Sequence, residues 1–302
     1  MGLNLRETGS TPKVWHPRTA AEAWAYKRNF GPDGVYVAGG TLLRTQWEAG
    51  IVRMPANLID LSGVGGLSDI LIGEDGLLLG SQTTLQACRM HALLQRTFPM
   101  ATDAVRSIAA PSVRHLATIG GNVASVVGDA VTALLAYDAS LIWHTGDGER
   151  QEELTDWLLT AFQPGSLNDR LLLSVKLPFP DEQDRADSSA KRVSAYHKVG
   201  RREAFTPSLV TAAVHGFLDA SGTVESIRLA VGGGQTVPRR LEEAEREMTG
   251  QTLDAKLLKH VHARIMELYE PREDVFADSA YRKRTAANVI VAELWRASRT
   301  ST

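Results

Sequence analysis

Two glycine-rich stretches hold the residues of this chain whose types and spacing are best suited to chemistry. The first is Val37-Ala38-Gly39-Gly40-Thr41-Leu42-Leu43, and the second is Ala117-Thr118-Ile119-Gly120-Gly121-Asn122-Val123-Ala124-Ser125. Each places a pair of glycines beside a hydroxyl side chain. Because glycine has no Cβ and adopts positive φ freely, such a pair lets main-chain N–H groups approach a large anionic ligand. Two such stretches can close on a diphosphate from two sides.

A tight turn is the alternative interpretation of either glycine pair taken alone, because glycine pairs are common in turns. The similar neighbours of the two stretches favour a shared ligand. In the first stretch, we expect Thr41 to cap a short helix through Trp47, whose first-turn N–H groups would face phosphate. In the second, we expect a helix that begins at Asp129 and runs to about Tyr137.

Three polar side chains are further candidates for ligand binding. The amide of Asn122 donates and accepts, which suits a phosphate–ribose corner, although it could equally cap its own turn. Asp129 could accept from ribose hydroxyls or merely cap the helix that follows. Lys198, within Tyr196-His197-Lys198-Val199-Gly200-Arg201-Arg202, could face a bound anion or lie at a solvated edge.

The composition limits the class of protein. The 302 residues are 43% hydrophobic, which is enough for a large core in two or three domains, and the formal net charge is -2. The charges are well mixed and lack the basic stripe of a nucleic-acid binder. No apolar run approaches the ~18 residues of a membrane span, and residues 1–6 lack the apolar core of a secretory signal. We therefore expect a soluble, cytoplasmic protein.

The scarcity of cysteine excludes several kinds of site. Cys88 is the only cysteine, so this chain alone holds no disulfide, no cysteine-ligated zinc and no iron–sulfur cluster. The eight histidines form no ligand cluster, and we predict no metal site. The segment Gly63-Val64-Gly65-Gly66-Leu67-Ser68 nearly spells the dinucleotide fingerprint, but a hairpin pattern follows it instead of a helix, which favours a turn.

The order of the predicted elements indicates three parts. A helix between two apolar strands predicts a small βαβ-type unit over residues 18–62, which together with the irregular residues 1–17 forms a small α/β part at 1–62. Strand and helix patterns predict a larger α+β domain over residues 63–180. A charged, solvated linker at 181–191 leads into an α+β domain over residues 190–302. In this last part we predict a hairpin followed by helices at about 241–249, 253–268 and 279–297.

At these residues the chain resembles the FAD-binding, or medium, subunit of molybdenum hydroxylases, the flavoprotein family of xanthine dehydrogenases and carbon monoxide dehydrogenases. Ala38-Gly39-Gly40-Thr41-Leu42-Leu43 resembles the first FAD loop of that family, and Thr118-Ile119-Gly120-Gly121-Asn122 resembles the second. Lys198-Val199-Gly200-Arg201-Arg202 resembles the basic motif that opens the C-terminal region. The resemblance is nearly full length, although the loop between Asn122 and Asp129 is shorter than the family's.

The resemblance implies an α+β fold and a set of cofactor contacts. A two-part FAD-binding fold of the PCMH-like, vanillyl-alcohol-oxidase type would comprise residues 1–62 and 63–180, and a three-stranded sheet with helices would follow at 190–302. FAD would be bound non-covalently, with Ile108 stacked near the flavin ring and Lys198 near its far side. The residues assigned to the cofactor are Val37, Ala38, Gly39, Gly40, Thr41, Leu42, Ile108, Thr118, Gly120, Gly121, Asn122, Ser125, Asp129 and Lys198.

The resemblance also implies a role in electron transfer. FAD on this chain would pass electrons from [2Fe-2S] clusters of a small partner subunit to NAD or another acceptor, while a molybdopterin-binding large subunit hydroxylates the substrate. No catalytic residue is predicted here, and the substrate would be selected on another polypeptide. The alternative is a stand-alone FAD oxidoreductase of the same fold. Its FAD would also be non-covalent, because Ala38–Leu43 offers no His or Cys to which the flavin could be attached. A scaffold subunit without flavin is a third interpretation.

Overall fold

The computed structural model describes residues 11–161, 170–180, 190–202 and 206–299, and within them it contains three β-sheets. Most of the linker predicted at 181–191 lies outside the described residues. The sheets follow one another along the chain and define an N-terminal, a central and a C-terminal region.

The N-terminal region is a small parallel sheet with helices. Its elements are β1 (Lys13–Trp15), α1 (Ala20–Phe30), β2 (Gly34–Val37), α2 (Thr41–Glu48) and β3 (Asn57–Asp60). The strand order is β1-β3-β2, and the parallel β2-α2-β3 unit is as predicted. Strand β1 contradicts the irregular structure predicted for residues 13–15; residues 1–10 of the predicted irregular stretch lie outside the described residues. The three residues of β1 are too few for an alternating pattern, and pairing with β3 orders them.

The central region is a five-stranded antiparallel sheet packed against helices. Its elements are β4 (Ile70–Ile72), β5 (Gly76–Gly80), α3 (Leu85–Met90), α4 (Ala92–Thr97), α5 (Pro99–Ser107), α6 (Pro111–Arg114), α7 (Ile119–Ala124), α8 (Asp129–Ala136), β6 (Ser140–Thr145), β7 (Gly148–Glu153), α9 (Leu154–Thr160) and β8 (Leu171–Pro178). The strand order is β4-β5-β8-β6-β7, and the hairpin pattern after Leu67 correctly predicted β4 and β5. Phe98, Trp143 and Trp157 lie fully buried in the core beneath this sheet.

The C-terminal region is an antiparallel sheet covered by three helices. Its elements are β9 (Lys191–Gly200), β10 (Ser208–Leu218), β11 (Val224–Gly233), β12 (Thr236–Arg240), α10 (Glu242–Met248), α11 (Ala255–Leu268) and α12 (Ser279–Arg299). The order β12-β11-β10-β9 corrects the expected three-stranded sheet to four strands. Strand β12 has only five residues and contains Pro238, so its sequence shows no pattern typical of a strand. A proline is tolerated there because β12 lies at the edge of the sheet.

Helix α8 joins the central and C-terminal regions. All its residues from Ala130 to Ala136 are buried, and Ala213 of β10 shares their core. The hydroxyls of Thr132 and Thr211 lie 2.7 Å apart across this contact. Because α8 is held on both sides, its first residue, Asp129, has a defined position between the two regions.

Candidate functional site

The first glycine stretch connects β2 to α2. Gly40 has a φ of 64° and precedes the helix, which therefore begins at Thr41. The expectation that Thr41 caps the helix is wrong, because Thr41 is itself the first helical residue and no side chain caps α2. The N–H groups of Gly39, Gly40 and Thr41 have no acceptor among the described residues. Together with the positive end of the helix dipole, they form a set of free donors.

These donors lie at the wall of a cleft of about 810 Å³. One side is α2 with the segment after it, and the other is the chain around α6; the lining residues are Gly39, Gly40, Thr41, Arg44, Trp47, Glu48, Met54, Ser112, Val113 and Leu116. The guanidinium of Arg44 adds positive charge, although Glu48 pairs with it at 2.8 Å. A cleft of this size with free N–H donors suits an anionic organic ligand.

Direct packing brings the two glycine stretches together. A Cβ built on Gly39 would lie 1.8 Å from the carbonyl oxygen of Leu116 and 3.0 Å from the nitrogen of Ala117. Leu116 and Ala117 immediately precede Thr118. Gly39 is therefore required for close approach of one main chain to another, in addition to any approach of a ligand.

The second glycine stretch contains the whole of helix α7, and Gly120 and Gly121 lie in the first turn of that helix. The Thr118 hydroxyl caps that helix by accepting from the Gly121 N–H at 3.0 Å. The N–H of Gly120 donates to the Ser81 carbonyl at 3.0 Å, and the N–H of Ile119 donates to the Thr83 carbonyl at 2.9 Å. The expectation that this stretch also presents free main-chain donors is therefore wrong, because the capped turn and its contact with the preceding segment already use them.

Gly121 nevertheless leaves space at the surface. Gly121 is exposed, and a Cβ built on it would meet only the Thr118 hydroxyl, at 3.1 Å. Gly120 differs, because a Cβ there would lie 2.6 Å from the Ser81 carbonyl oxygen. Within one glycine pair, Gly120 serves internal packing and Gly121 is free to admit a neighbouring molecule.

Asn122 and Ser125 mainly support the helices around them. The Asn122 Oδ1 accepts from the Ala130 N–H at 3.2 Å, at the start of α8, and the Ser125 hydroxyl donates to the Asn122 carbonyl at 2.7 Å. Asn122 thus caps a later helix rather than its own turn. Its Nδ2 has no acceptor among the described residues, so both N–H bonds of this amide remain available to a ligand.

Asp129 and Lys198 form an ion pair between the central and C-terminal regions. Lys198 Nζ lies 2.7 Å from Asp129 Oδ2, and Ser208 donates its hydroxyl to Asp129 Oδ1 at 2.6 Å. Both side chains are largely buried, with 10% of Lys198 and 15% of Asp129 exposed. Burial, reinforced by the Asp129 charge, raises the pKa of the Tyr196 phenol well above its ordinary value, so Tyr196 stays protonated and donates to the Asp129 carbonyl at 3.1 Å. Both carboxylate oxygens of Asp129 therefore have protein partners.

The same lysine reaches the segment that contains Ile108. Lys198 Nζ donates to the Ser107 carbonyl at 3.1 Å, directly before Ile108. Ile108 directly follows α5 and is half-buried against the central core, and Ala109 after it has a φ of 45°. Lys198, Asp129 and Ile108, which are distant in the sequence, thus lie in one cluster.

The remaining predicted contacts and several unpredicted ones complete the site. Val37 and Ala38 are half-buried beside the free donors, while 47% of Leu42 is exposed on α2. Sequence reasoning missed the main-chain partners Leu116 and Ser81 and the hydroxyl of Ser208. Their roles depend on contacts between distant segments, for which spacing along the chain carries no signal.

Other kinds of site find little support in the part of the chain that the structure describes. No group of three or more His, Cys, Asp or Glu side chains in the described ranges is arranged to hold a metal ion. Of the helices described, none has the length and apolar character needed to cross a membrane. Cys88 is buried, and burial raises the pKa of its thiol to about 12, so it is not a ready nucleophile.

Comparison with known proteins identifies the family. Residues 8–180 match the FAD binding domain in molybdopterin dehydrogenase. Residues 194–296 match the CO dehydrogenase flavoprotein C-terminal domain. The first match spans more than half of the chain, and the two together include both glycine stretches and Lys198.

Relatives and solved structures agree with this assignment. The xanthine dehydrogenase FAD-binding subunit of Escherichia coli O157:H7 is 28% identical over 254 residues, which cover 83% of this chain and 84% of that protein. The 6-hydroxypseudooxynicotine dehydrogenase complex subunit alpha of Paenarthrobacter nicotinovorans is 26% identical over 271 residues, 88% of each chain. In fold, the chain is similar to one in reconstituted CO dehydrogenase from Oligotropha carboxidovorans, with a TM-score of 0.84, 24% identity and coverage of 97% and 99%. The predicted family and α+β fold class are thereby confirmed, and the chain belongs to the FAD-binding subunits of the molybdenum hydroxylases, a family of oxidoreductases.

Proposed function

We propose that this chain is the electron-transfer flavoprotein of a multi-subunit molybdenum hydroxylase. It would receive electrons from [2Fe-2S] clusters on a small partner subunit, and FAD would pass them to NAD or another acceptor. A molybdopterin-binding large subunit would carry the hydroxylation site. The names of its relatives support this proposal, since they describe a FAD-binding subunit and a subunit of a dehydrogenase complex.

The observation that carries the proposal is the set of free N–H groups at Gly39, Gly40 and Thr41. The three residues line a cleft of about 810 Å³ at the start of α2, and their N–H groups have no acceptor among the described residues. FAD contains a diphosphate, and free main-chain donors at a helix N-terminus are suited to phosphate oxygens. The residues present therefore fit this cofactor.

The chain contributes binding and orientation rather than acid–base groups. When bound, FAD supplies the ability to accept electrons singly or in pairs. Gly39, Gly40 and Thr41 would hold its diphosphate, and the bare Cα of Gly121 would allow close approach from the other stretch. Asp129 holds Lys198 in place at 2.7 Å beside the segment of Ile108.

Each of the three parts of the chain has a role in this proposal. Residues 1–62 and 63–180 would form the two FAD-binding parts, and residues 190–302 would form the C-terminal domain that covers them. FAD would be held non-covalently, because the stretch from Ala38 to Leu43 has no His or Cys and Cys88 is buried in the core. Val37, Ala38, Leu42, Thr118, Asn122 and Ser125 would complete the contacts.

Binding of FAD is tested by Gly121→Val against the matched control Gly65→Val. A Cβ built on Gly65 meets nothing within 4 Å, and one built on Gly121 meets only the Thr118 hydroxyl, at 3.1 Å, so both variants should fold. We expect Gly121→Val to bind FAD at least about tenfold more weakly in a flavin-fluorescence titration, about 1.4 kcal/mol, with wild-type affinity in the control. Equal affinity of the two variants would remove the second stretch from the site.

Electron transfer is tested with the whole complex. The chain is purified from its native source, the associated chains are identified, and their metals are analysed. We expect molybdenum and iron on the partners, and reduction of the FAD by substrate only when both partners are present. Reduction of the FAD by substrate in the isolated chain would instead favour the stand-alone oxidoreductase.

A further inference from the structure

We propose that Arg114 is a positioning residue that holds the segment after α5 so that Ile108 faces the bound cofactor. The inference rests on the proposed function, because it takes Ile108 as a cofactor contact. Arg114 lies outside both glycine stretches, at the end of the short helix α6. Its effect on the cofactor would be indirect, through the main chain of another segment.

The guanidinium of Arg114 is committed to one short segment of main chain. Only 6% of the residue is exposed. Its Nη1 donates to the carbonyls of Ile108 at 2.7 Å and Ala109 at 2.6 Å, with a longer contact of 3.3 Å to that of Arg106. These carbonyls follow or end α5, where no continuing helix would satisfy them.

The segment that Arg114 holds is conformationally strained. Ala109 has a φ of 45°, in the left-handed region that residues with a Cβ seldom occupy. Such a conformation persists only when surrounding contacts enforce it, and it is most common at functional sites. Hydrogen bonds from Arg114 to the carbonyls on both sides of this strained peptide are contacts of that kind.

The charge of Arg114 is buried without a carboxylate partner among the described residues, which is unusual for a residue that serves only the stability of the fold. It forms no ion pair with a carboxylate among the described residues, and its Nε is buried without a partner. Burial, and to a smaller degree the charge of Arg89, lower the pKa of Arg114. An unpaired buried charge normally destabilises a fold, so the position of Arg114 is explained better by what it holds than by a contribution to stability.

Arg114 also lies between the cleft lined by the first glycine stretch and the cluster of Lys198, Asp129 and Ile108. Helix α6 supplies Ser112 and Val113 to the wall of the cleft that holds the free donors. Ser107, the last residue of α5, directly precedes the segment fixed by Arg114, and its carbonyl accepts from Lys198 at 3.1 Å. A displacement of this segment would therefore move Ile108 and disturb the lysine contact together.

The test compares Arg114→Met with Arg106→Met. Arg106 lies in the last turn of α5, directly before that segment, but its side chain is 67% exposed and, among the described residues, pairs only with Asp103. FAD affinity, the visible circular dichroism of saturated protein and the unfolding midpoint without FAD are measured for both. We expect Arg114→Met to bind FAD at least about tenfold more weakly with an altered visible spectrum, and Arg106→Met to match the wild type.

Two further variants keep the inference falsifiable if Arg114→Met folds poorly. Arg114→Lys retains the charge without the planar fork, and it should show an intermediate affinity and an altered spectrum. Ala109→Gly combined with Arg114→Met should recover at least about threefold of the lost affinity, because glycine adopts the left-handed conformation without a clamp. Wild-type affinity and spectrum in Arg114→Met, or in Arg114→Lys where the first variant does not fold, would overturn the inference. Failure of the wild type to bind FAD would instead overturn the proposed function.

Discussion

The two glycine stretches share a sequence pattern but use their main chains in different ways. In the first, the N–H groups of Gly39, Gly40 and Thr41 have no acceptor among the described residues. In the second, the N–H groups of Ile119, Gly120 and Gly121 donate within the protein. A pair of glycines beside a hydroxyl therefore does not by itself specify a donor site.

The difference comes from what precedes each pair. Gly40 leads from strand β2 directly into α2, and no side chain caps that helix. Thr118 caps α7 instead, and the turn lies against the segment from Ser81 to Thr83. The second pair is linked through Asn122 to α8, and α8 begins at Asp129, which binds Lys198. The first stretch leaves its N–H groups without acceptors among the described residues, and the second uses its N–H groups in contacts inside the protein.

The largest loss of stability is expected from Gly39→Ala, which tests whether the first glycine stretch also depends on packing against the chain around Leu116. A Cβ at this position would overlap the Leu116 carbonyl at 1.8 Å. The overlapping atoms are main chain and relax poorly, so we expect a loss of about 4 kcal/mol in the free energy of unfolding. Gly40→Ala is the control, because its Cβ would meet only Val37 at 3.6 Å, and its positive φ costs about 1 kcal/mol. Denaturant unfolding without FAD gives both values, and near-wild-type stability of Gly39→Ala would refute the contact.

A second prediction concerns the largely buried ion pair of Asp129 and Lys198, which lies at the start of α8. Removing the partner of Asp129 with Lys198→Met should cost about 3 kcal/mol, because a largely buried carboxylate loses its counterion. The exposed pair beside the first stretch provides the contrast, since Arg44 and Glu48 are 77% and 62% exposed. Arg44→Met should cost less than about 0.5 kcal/mol. Urea unfolding measures both variants. Similar losses in the free energy of unfolding would contradict the distinction between the buried ion pair near the second stretch and the exposed pair near the first.

The smallest effect is expected at the two threonines. Thr118→Ala removes a helix cap and should lower the free energy of unfolding by about 1 kcal/mol, and Thr118→Ser should restore most of it. Thr41→Ala should leave stability within about 0.5 kcal/mol of the wild type, because Thr41 caps no helix. Thermal unfolding of the three variants without FAD measures the difference. A larger loss for Thr41→Ala than for Thr118→Ala would reverse our assignment of the caps.

Features specified by neighbouring residues were predicted well from the sequence. The hairpin of β4 and β5 and the three C-terminal helices occur near their predicted positions. Strands β1 and β12 were missed, since each is short and depends on a partner strand rather than on its own pattern. The cofactor contacts assigned to the two glycine stretches remain predictions that the proposed variants test.

The sequence by itself determined the family, the α+β class and the positions of the two glycine pairs, because each depends on residue types at short spacing. Tertiary structure alone decided which N–H groups are free, that Asp129 binds Lys198, and that Arg114 holds the segment of Ile108. The reason is physical: whether a donor or a charge has a partner depends on distant segments that meet only after folding.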